Sequence, residues 1–282
     1  MTDHAAPTAA VLIIGDEILS GRTQDVNLNA IARFLGSLGI DLMEARTVGD
    51  RQDQIVGALN ALRGAHDYVF TTGGIGPTHD DITADAVGAA FGVAVTEHPD
   101  ALAVLERRYG PGEFNAARRR MARIPQGGSL VANPVTDAPG FQIGNVFVMA
   151  GVPKIMEAML QDVAPRLRTG AVVHARMIKV LGVGEGAIAE VLRAAADARR
   201  DLSFGSYPFG FGGGEEVGTQ LVIRGRDEVE VDLAEHDLSQ ELRSVGIDIA
   251  VTYPHQGVKL CDFVATVWPI CGPTGALGAT LS

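Results

Sequence analysis

The chain has 282 residues and a formal net charge of −11, with 34 acidic against 23 basic residues. This balance argues against nucleic acid or an anionic membrane as the main partner. Hydrophobic residues make up 46% and aromatic residues 5% of the chain, so the predicted core consists mainly of Ala, Val, Leu and Ile, as in a parallel sheet covered by helices.

The two cysteines, Cys261 and Cys271, are far from any Cys/His cluster, so we expect free thiols. The N-terminus has no signal-peptide pattern. No apolar run approaches the roughly 20 residues of a transmembrane helix. We therefore expect a cytoplasmic protein.

The first predicted strand, residues 9–14, is wholly apolar, as a buried parallel strand would be. Asp16 and Glu17 follow it directly after Gly15. Because ligands of open α/β sheets bind at the carboxyl ends of the strands, these two carboxylates are expected at a ligand crevice. A capped amphipathic helix is predicted to begin at residue 25.

A second strand is predicted at residues 42–48 and a second helix at residues 50–62. Asp50 lies between them, where it would serve either as the N-cap of the helix or as a functional carboxylate at a strand end. The residues alone leave both interpretations open.

The stretch 68–83 predicts a strand, a glycine loop and the start of a helix that continues to residue 91. Gly73, Gly74 and Gly76 lack a Cβ, so several backbone N–H groups there can converge on a phosphate. Two carboxylates, Asp80 and Asp81, follow in the same loop. They would repel a phosphate unless a divalent cation such as Mg²⁺ lay between them; the alternative is that they cap the next helix.

Helices are predicted at residues 99–109 and 113–123, and the second contains Arg118, Arg119, Arg120 and Arg123. Such a cluster is either a solvated helix face or a set of guanidinium groups of which one or two close over a phosphate. A hairpin at residues 141–149 and a helix at residues 154–167 complete the predicted first domain, residues 1–168.

Residues 172–253 show the order strand, helix, strand, strand, helix, strand, which predicts a small α+β domain of the ferredoxin-like kind. The tail, residues 254–282, has no clear periodicity. No lysine follows a glycine, so a Walker A loop is excluded. The run 182–186 departs from the G-x-G-x-x-G spacing and is interpreted as a tight turn.

Three motifs, residues 15–21, 25–27 and 72–83, resemble in order those of the molybdopterin-binding domain superfamily, and within it those of the CinA-type (competence/damage-inducible) branch. Residues 124–125, 138–141 and 151–153 extend the resemblance to about Leu167. The region 177–253 is similar in layout to the CinA-type middle domain. The resemblance implies an α/β fold with a three-layer, mostly parallel sheet, followed by the small α+β domain.

This resemblance implies metal-dependent cleavage of the diphosphate of ADP-ribose or a similar nucleotide, a hydrolase reaction that uses Mg²⁺ or another divalent metal. The alternative that it implies is a molybdopterin-binding protein or a molybdopterin adenylyltransferase of molybdenum cofactor biosynthesis. A third alternative is a scaffold that binds a nucleotide or pterin without catalysis. The partner is a small molecule in each case, and the family favours a homodimer or homotrimer.

Site residues are carried over by their positions in the motifs. Asp81, Asp50 and Asp80 are implied to be catalytic. Metal ligands are implied at Asp81, Asp80, Asp16 and Glu17. Phosphate or nucleotide contacts are implied at Thr72, Gly73, Gly74, Gly76, Pro77, Thr78, Gly15, Ser20, Gly21 and Asn27.

The chain departs from the family pattern in three ways. Ala150 stands where proline is usual, and Ile155 stands where glutamate is frequent, so the loop before the helix at 154–167 is expected to differ. CinA-type proteins often add a C-terminal domain that removes the amide of nicotinamide mononucleotide. We expect no such domain after Tyr253.

Overall fold

The computed structural model describes residues 6–110, 112–210 and 216–252. The chain forms two compact units, which divide in the sequence between Val172 and Val173. The predicted tail at residues 254–282 lies outside the described residues. Within the described ranges, every helix is too short or too polar to cross a bilayer.

The first unit alternates strands and helices. Its strands are β1 (Thr8–Ile14), β2 (Asp41–Val48), β3 (Tyr68–Thr72), β4 (Val95–Glu97), β5 (Arg123–Pro125), β6 (Ser129–Val131), β7 (Gly140–Ile143) and β8 (Val146–Met149). Its α-helices are α1 (Asp16–Leu19), α2 (Asn27–Ser37), α3 (Gln52–Ala65), α4 (Thr83–Phe91), α5 (Pro99–Tyr109), α6 (Ala116–Arg119) and α7 (Pro153–Val163). Two 3₁₀ turns follow α6 and α7, at Arg120–Ala122 and Ala164–Arg166.

Six of these strands form one sheet in the order β2-β1-β3-β8-β7-β6. The strand β1 pairs in parallel with β2 and β3, and β3 pairs in parallel with β8. The hairpin of β7 and β8 and the pairing of β6 with β7 are antiparallel. The predicted mostly parallel sheet is therefore confirmed.

Helices cover both faces of this sheet. On one face α3 and α4 bury apolar side chains, including Leu59 and Val87, against β1 and β8. On the other face α2 and α7 bury Ile31 and Met159 against the opposite side of the same strands. Because β1 and β8 lie between two apolar layers, these two strands have almost no polar residues, and the three-layer architecture is confirmed.

The predicted helix at residues 113–123 is wrong in extent. The side chain of Asn115 accepts a hydrogen bond from the Arg118 amide at 3.0 Å and starts the short helix α6, which gives way to a 3₁₀ turn after Arg119. The chain then becomes extended, because Ile124 in β5 pairs with Thr96 in β4 and is buried. The 3₁₀ turn and the first residue of a two-stranded ribbon therefore replace the last turn of the predicted helix.

The second unit contains the predicted order of six elements. These are β9 (His174–Leu181), α8 (Glu185–Ala198), β10 (Ser203–Phe209), β11 (Gly218–Gly225), α9 (Glu228–Ser244) and β12 (Ile249–Thr252). The strands form an antiparallel sheet in the order β10-β11-β9-β12, which is the ferredoxin-like arrangement. Between β9 and α8, Gly182 has a φ of 69° and donates to the Val217 carbonyl at 2.7 Å, so this glycine run is a tight turn.

Phe147 tests how much the first unit depends on its aromatic core. Its ring is buried and stacks on Phe70, with centroids 5.3 Å apart and planes inclined by 15°. Phe147→Ala is expected to lower the unfolding free energy of this unit by about 3–5 kcal/mol, because it removes transfer energy and leaves a cavity. Urea titration monitored by hydrogen exchange in peptides from β3 and β8 measures this loss.

Met43→Ala is the matched control, since Met43 lies in β2 of the same sheet with 63% of its surface exposed. Its expected effect is within about 0.5 kcal/mol. A loss at Phe147 no larger than that of the control would contradict the assignment of the core.

Candidate functional site

The candidate site lies at the carboxyl ends of β1, β2 and β3. These three ends are adjacent because β1 pairs in parallel with both neighbours, with Ile14 opposite Val48 and Ile13 opposite Thr72. The amide of buried Gly15 continues the pairing by donating to the Val48 carbonyl at 3.1 Å. The loops that follow the three strands therefore start side by side.

Asp50 joins the first two of these loops. Its Oδ2 accepts a hydrogen bond from the Asp16 backbone amide at 2.9 Å. Helix α3 begins at Gln52 without a side-chain cap, so the N-cap interpretation of Asp50 is wrong. Its carboxylate instead fixes the turn after β1.

Asp50 lies in an environment that disfavours its charge. Burial raises its pKa above the ordinary value, and the negative charges of Asp16, Glu17 and Asp80 raise the pKa further, against the opposing hydrogen bond from the Asp16 amide. Four of the carboxylates that the sequence marks are therefore close enough to interact. Among the described residues, however, no three His, Cys, Asp or Glu side chains are arranged to hold a metal.

The carboxylates around Asp50 fit a metal site that takes only one or two ligands from the protein. Mg²⁺ is commonly held by one or two carboxylates, with substrate phosphates and water as the other ligands. Asp16 and Glu17, two of the metal ligands that the resemblance implies, are the carboxylates that would provide such ligands beside Asp50.

The glycine loop after β3 is fixed by close backbone contacts. Gly73 has a φ of 104°, and a Cβ on it would lie 2.1 Å from the Ile14 carbonyl oxygen. Gly74 has a φ of 66°, and a Cβ there would lie 2.3 Å from Thr83 Oγ1. Any other residue at either position would meet both positive-φ strain and a steric clash.

Hydrogen bonds hold the loop from both sides. The Gly73 amide donates to the Met149 carbonyl at 3.2 Å. The Thr83 hydroxyl donates to the Gly73 carbonyl at 2.9 Å, and the Thr83 amide donates to the Gly74 carbonyl at 3.0 Å. Thr83 is a structural residue of the site that the sequence did not single out, although it closes the motif at residues 72–83.

Three successive amides of this loop lack partners. Within the described part of the chain, the N–H groups of Gly74, Ile75 and Gly76 form no hydrogen bond, and the three residues are partly exposed. Successive free amides in a glycine loop form an anion-binding concavity. Helix α4 begins a few residues later, at Thr83, and its positive end lies at the same loop.

Asp81 organises the outer part of the loop. It accepts hydrogen bonds from the Thr78 amide at 2.8 Å and from the Thr78 hydroxyl, while its own amide donates to the Thr78 carbonyl. Neither Asp80 nor Asp81 caps α4, which has no side-chain cap, so the capping alternative is wrong for both. Asp80 is exposed, and the nearby Thr78 side chain and its own backbone amide lower the pKa of its carboxyl group. Pro77 is exposed beside them.

The other marked residues differ in how they are placed. Asn27 is buried and donates to the Gly151 carbonyl at 2.7 Å, and a Cβ on Gly151 would lie 3.2 Å from the Gly73 Cα. Asn27 therefore holds Gly151 in place against Gly73 of the glycine loop. Ser20 and Gly21 are exposed, and the Ser20 hydroxyl donates to the Glu17 carbonyl in its own turn. Thr72 is buried at the end of β3.

Comparison with known proteins gives matches to both units. The sequence profile described as a probable molybdopterin binding domain matches residues 10–169, and that of the FAD synthase middle domain matches residues 173–250. A CinA-like protein of Citrifermentans bemidjiense is 41% identical over 195 residues, which is 66% of this chain and 47% of that protein. A protein of Aeropyrum pernix is 34% identical over 236 residues, which is 79% of this chain and 84% of that protein.

Among solved structures, the protein CinA with unknown function from Thermoplasma acidophilum is similar to this chain, with 35% identity and a TM-score of 0.54. The match covers 57% of this chain and 98% of that structure. The chain spans about half the length of the CinA-like proteins that it matches, 47% of the first two. The predicted resemblance to the CinA-type branch is confirmed.

Substitution of Gly73 tests the backbone contact at the centre of the loop. Gly73→Ala is expected to destabilise the first unit by more than about 1 kcal/mol and to displace the loop, because of the positive φ and the contact with Ile14. Gly57→Ala is the control, since Gly57 lies within α3 with open space where a Cβ would be added, and it is expected to gain about 0.4–1 kcal/mol. Chemical denaturation measures both; two changes of the same sign would contradict the geometry.

A pH titration tests the electrostatics of Asp50. With its pKa raised above 3.8, the folded state holds this proton more tightly than the unfolded state. The contribution of Asp50 to stability therefore falls as the pH rises from below 3.8 through the folded-state pKa. Asp50→Asn keeps an acceptor for the Asp16 amide without the charge. Its stability relative to wild type, measured with EDTA present, is expected to increase from about pH 3 to about pH 6 by less than about 1 kcal/mol. A difference that is constant with pH would contradict this environment.

Proposed function

Because the chain belongs to the family of the probable molybdopterin binding domain, we propose that its first unit binds a phosphorylated pterin of the molybdopterin class, or a nucleotide, at the carboxyl ends of β1, β2 and β3. The observation that carries this proposal is the run of three unpartnered amides at Gly74, Ile75 and Gly76 within the described residues. An anionic oxygen is the partner that such amides favour.

The chemistry of the rim supports the same ligand class. The chain has a net charge of −11, so a phosphate needs local donors such as the loop amides and the start of α4. Carboxylates such as Asp50 and Asp16 accept hydrogen bonds from hydroxyl or ring N–H groups, which both pterins and nucleosides have. One end of the crevice thus suits a phosphate, and the other suits the polar edge of the ligand. The homodimer or homotrimer that the resemblance implies stays a prediction.

The environment of Asp50 favours a second candidate function, hydrolysis of the diphosphate of ADP-ribose. A carboxylate with a raised pKa is suited to accept a proton from water. The oxygen of that water forms a bond to one phosphorus atom, the bond to the bridging oxygen breaks, and the products are AMP and ribose 5-phosphate. A divalent metal held by Asp16 and Glu17 would neutralise charge on the phosphates.

Two assays on the purified full chain separate these functions. Oxidation of the protein as isolated, followed by pterin fluorescence, detects a bound pterin. Incubation with ADP-ribose, with Mg²⁺ or with EDTA, measures AMP formation. Pterin without AMP supports binding alone, and metal-dependent AMP formation supports hydrolysis. A chain that retains neither pterin nor nucleotide and forms no AMP would contradict the proposal.

Variants of two carboxylates are expected to abolish whichever activity is found. Asp50→Asn removes a charge at the rim, and Asp81→Ala removes the acceptor of the Thr78 hydrogen bonds; each is expected to lower AMP formation about 100-fold or more if hydrolysis occurs. If binding alone occurs, each is expected to lower pterin retention. Asp53→Asn, an exposed change in the first turn of α3, is the control with the same change in charge. Equal activity in all three variants would place the function elsewhere.

A further inference from the structure

Three of the four clustered arginines are neutralised by carboxylates. Arg118 lies 3.6 Å from Glu113 and over the Tyr109 ring. Arg119 binds Glu97 with two nitrogens, and Arg123 binds Asp85 with two nitrogens at 2.6 and 2.9 Å. These three side chains stabilise the fold around α6 and β5, and their charges are already paired.

Arg120 differs from its neighbours. Within the described ranges it forms no ion pair, and its Nε is buried without a hydrogen-bond partner. Within the same ranges its side chain makes one hydrogen bond, a long one of 3.4 Å from Nη2 to the Asp81 carbonyl oxygen. A buried guanidinium donor without a partner is unfavourable. A ligand with an acceptor oxygen would satisfy this donor and pair with the Arg120 charge.

The open side of Arg120 is a small cavity beneath the glycine loop. Its lining includes Gly74, Ile75, Gly76 and Arg120, with Ile124 and Phe141 as apolar side chains. Two carboxylates also line it, Asp81, which accepts from Thr78, and Asp85, which is paired with Arg123. The volume is about 20 Å³. This suffices for about one water-sized atom, so a single ligand oxygen fits there and a whole phosphate does not.

We propose that Arg120 binds one oxygen of the ligand's phosphate from beneath the loop, while the amides of Gly74, Ile75 and Gly76 bind the other oxygens. This inference rests on the proposed function, and it adds an anion subsite with a specificity residue. Arg120 is 39 residues from Asp81 in the sequence, and its hydrogen bond to the Asp81 carbonyl holds the guanidinium beside the loop. The competing occupant of the cavity is a structural water.

Binding measurements on the full chain test Arg120 without requiring turnover. Isothermal titration calorimetry is done with AMP, adenosine and inorganic pyrophosphate. Arg120→Met keeps much of the side-chain volume without the charge, and it is expected to weaken AMP and pyrophosphate binding about 10- to 100-fold, as loss of a charge-assisted hydrogen bond would. Adenosine lacks the phosphate, so its affinity is expected to be unchanged.

Arg119→Met is the matched control, because it is adjacent, removes the same charge and lies in the ion pair with Glu97. Its expected change in affinity is less than about twofold, by the weak effect of remote surface charges. Arg120→Lys restores charge without the planar fork and is expected to give intermediate affinity. It is also the informative variant should Arg120→Met fail to fold.

The inference is overturned if Arg120→Met, or Arg120→Lys when only that variant folds, binds AMP and pyrophosphate as wild type does, since the cavity then holds only water. It is also overturned if wild type binds neither anion. Failure of the proposed function has a different signature. In that case no pterin is retained and no ADP-ribose is cleaved, yet pyrophosphate binding still depends on Arg120.

Discussion

The parallel pairing of β1 with both β2 and β3 is the constraint on which the site depends. It brings three strand ends together, so that loops separated by more than 30 residues in the chain begin within hydrogen-bonding distance. The bond from the Asp16 amide to Asp50 exists only because β1 and β2 are neighbours. The core supports this arrangement from both faces, since the apolar side chains of β1 pack alternately on α3 and α2.

The site also contains features that oppose stability. Asp50 is partly desolvated beside other carboxylates, the amides of Gly74 to Gly76 lack protein partners in the described chain, and the buried Oδ1 of Asn27 accepts no hydrogen bond. Each is unfavourable in the free protein. All three lie at one edge of the sheet, as is typical of a ligand site, where a bound partner supplies the missing interactions.

Sequence patterns predicted the parts of the structure that depend on local periodicity. The order of strands and helices, the ferredoxin-like second unit and the tight turn at Gly182 follow from runs of apolar residues and glycines. The helix predicted at residues 113–123 was wrong in extent, because the chain leaves the helix in a 3₁₀ turn and then pairs, from Arg123 onward, with a distant strand. For Asp50, Asp80 and Asp81 the sequence left capping open, because a carboxylate before a helix has the same local pattern in either role.

The arginine cluster shows why charge read along a sequence does not identify a binding residue. The sequence alone does not distinguish the members of this cluster, which are Arg118, Arg119, Arg120 and Arg123. It gives only their angular positions around a predicted helix. What separates them is the tertiary position of carboxylates: Glu97 and Asp85 are 22 and 38 residues from the arginines that they bind. Because these pairs use three of the charges, the remaining guanidinium lines the cavity at the glycine loop with a nitrogen that has no hydrogen-bond partner among the described residues. Which of the four charges the described residues leave unneutralised is therefore visible only in the tertiary structure.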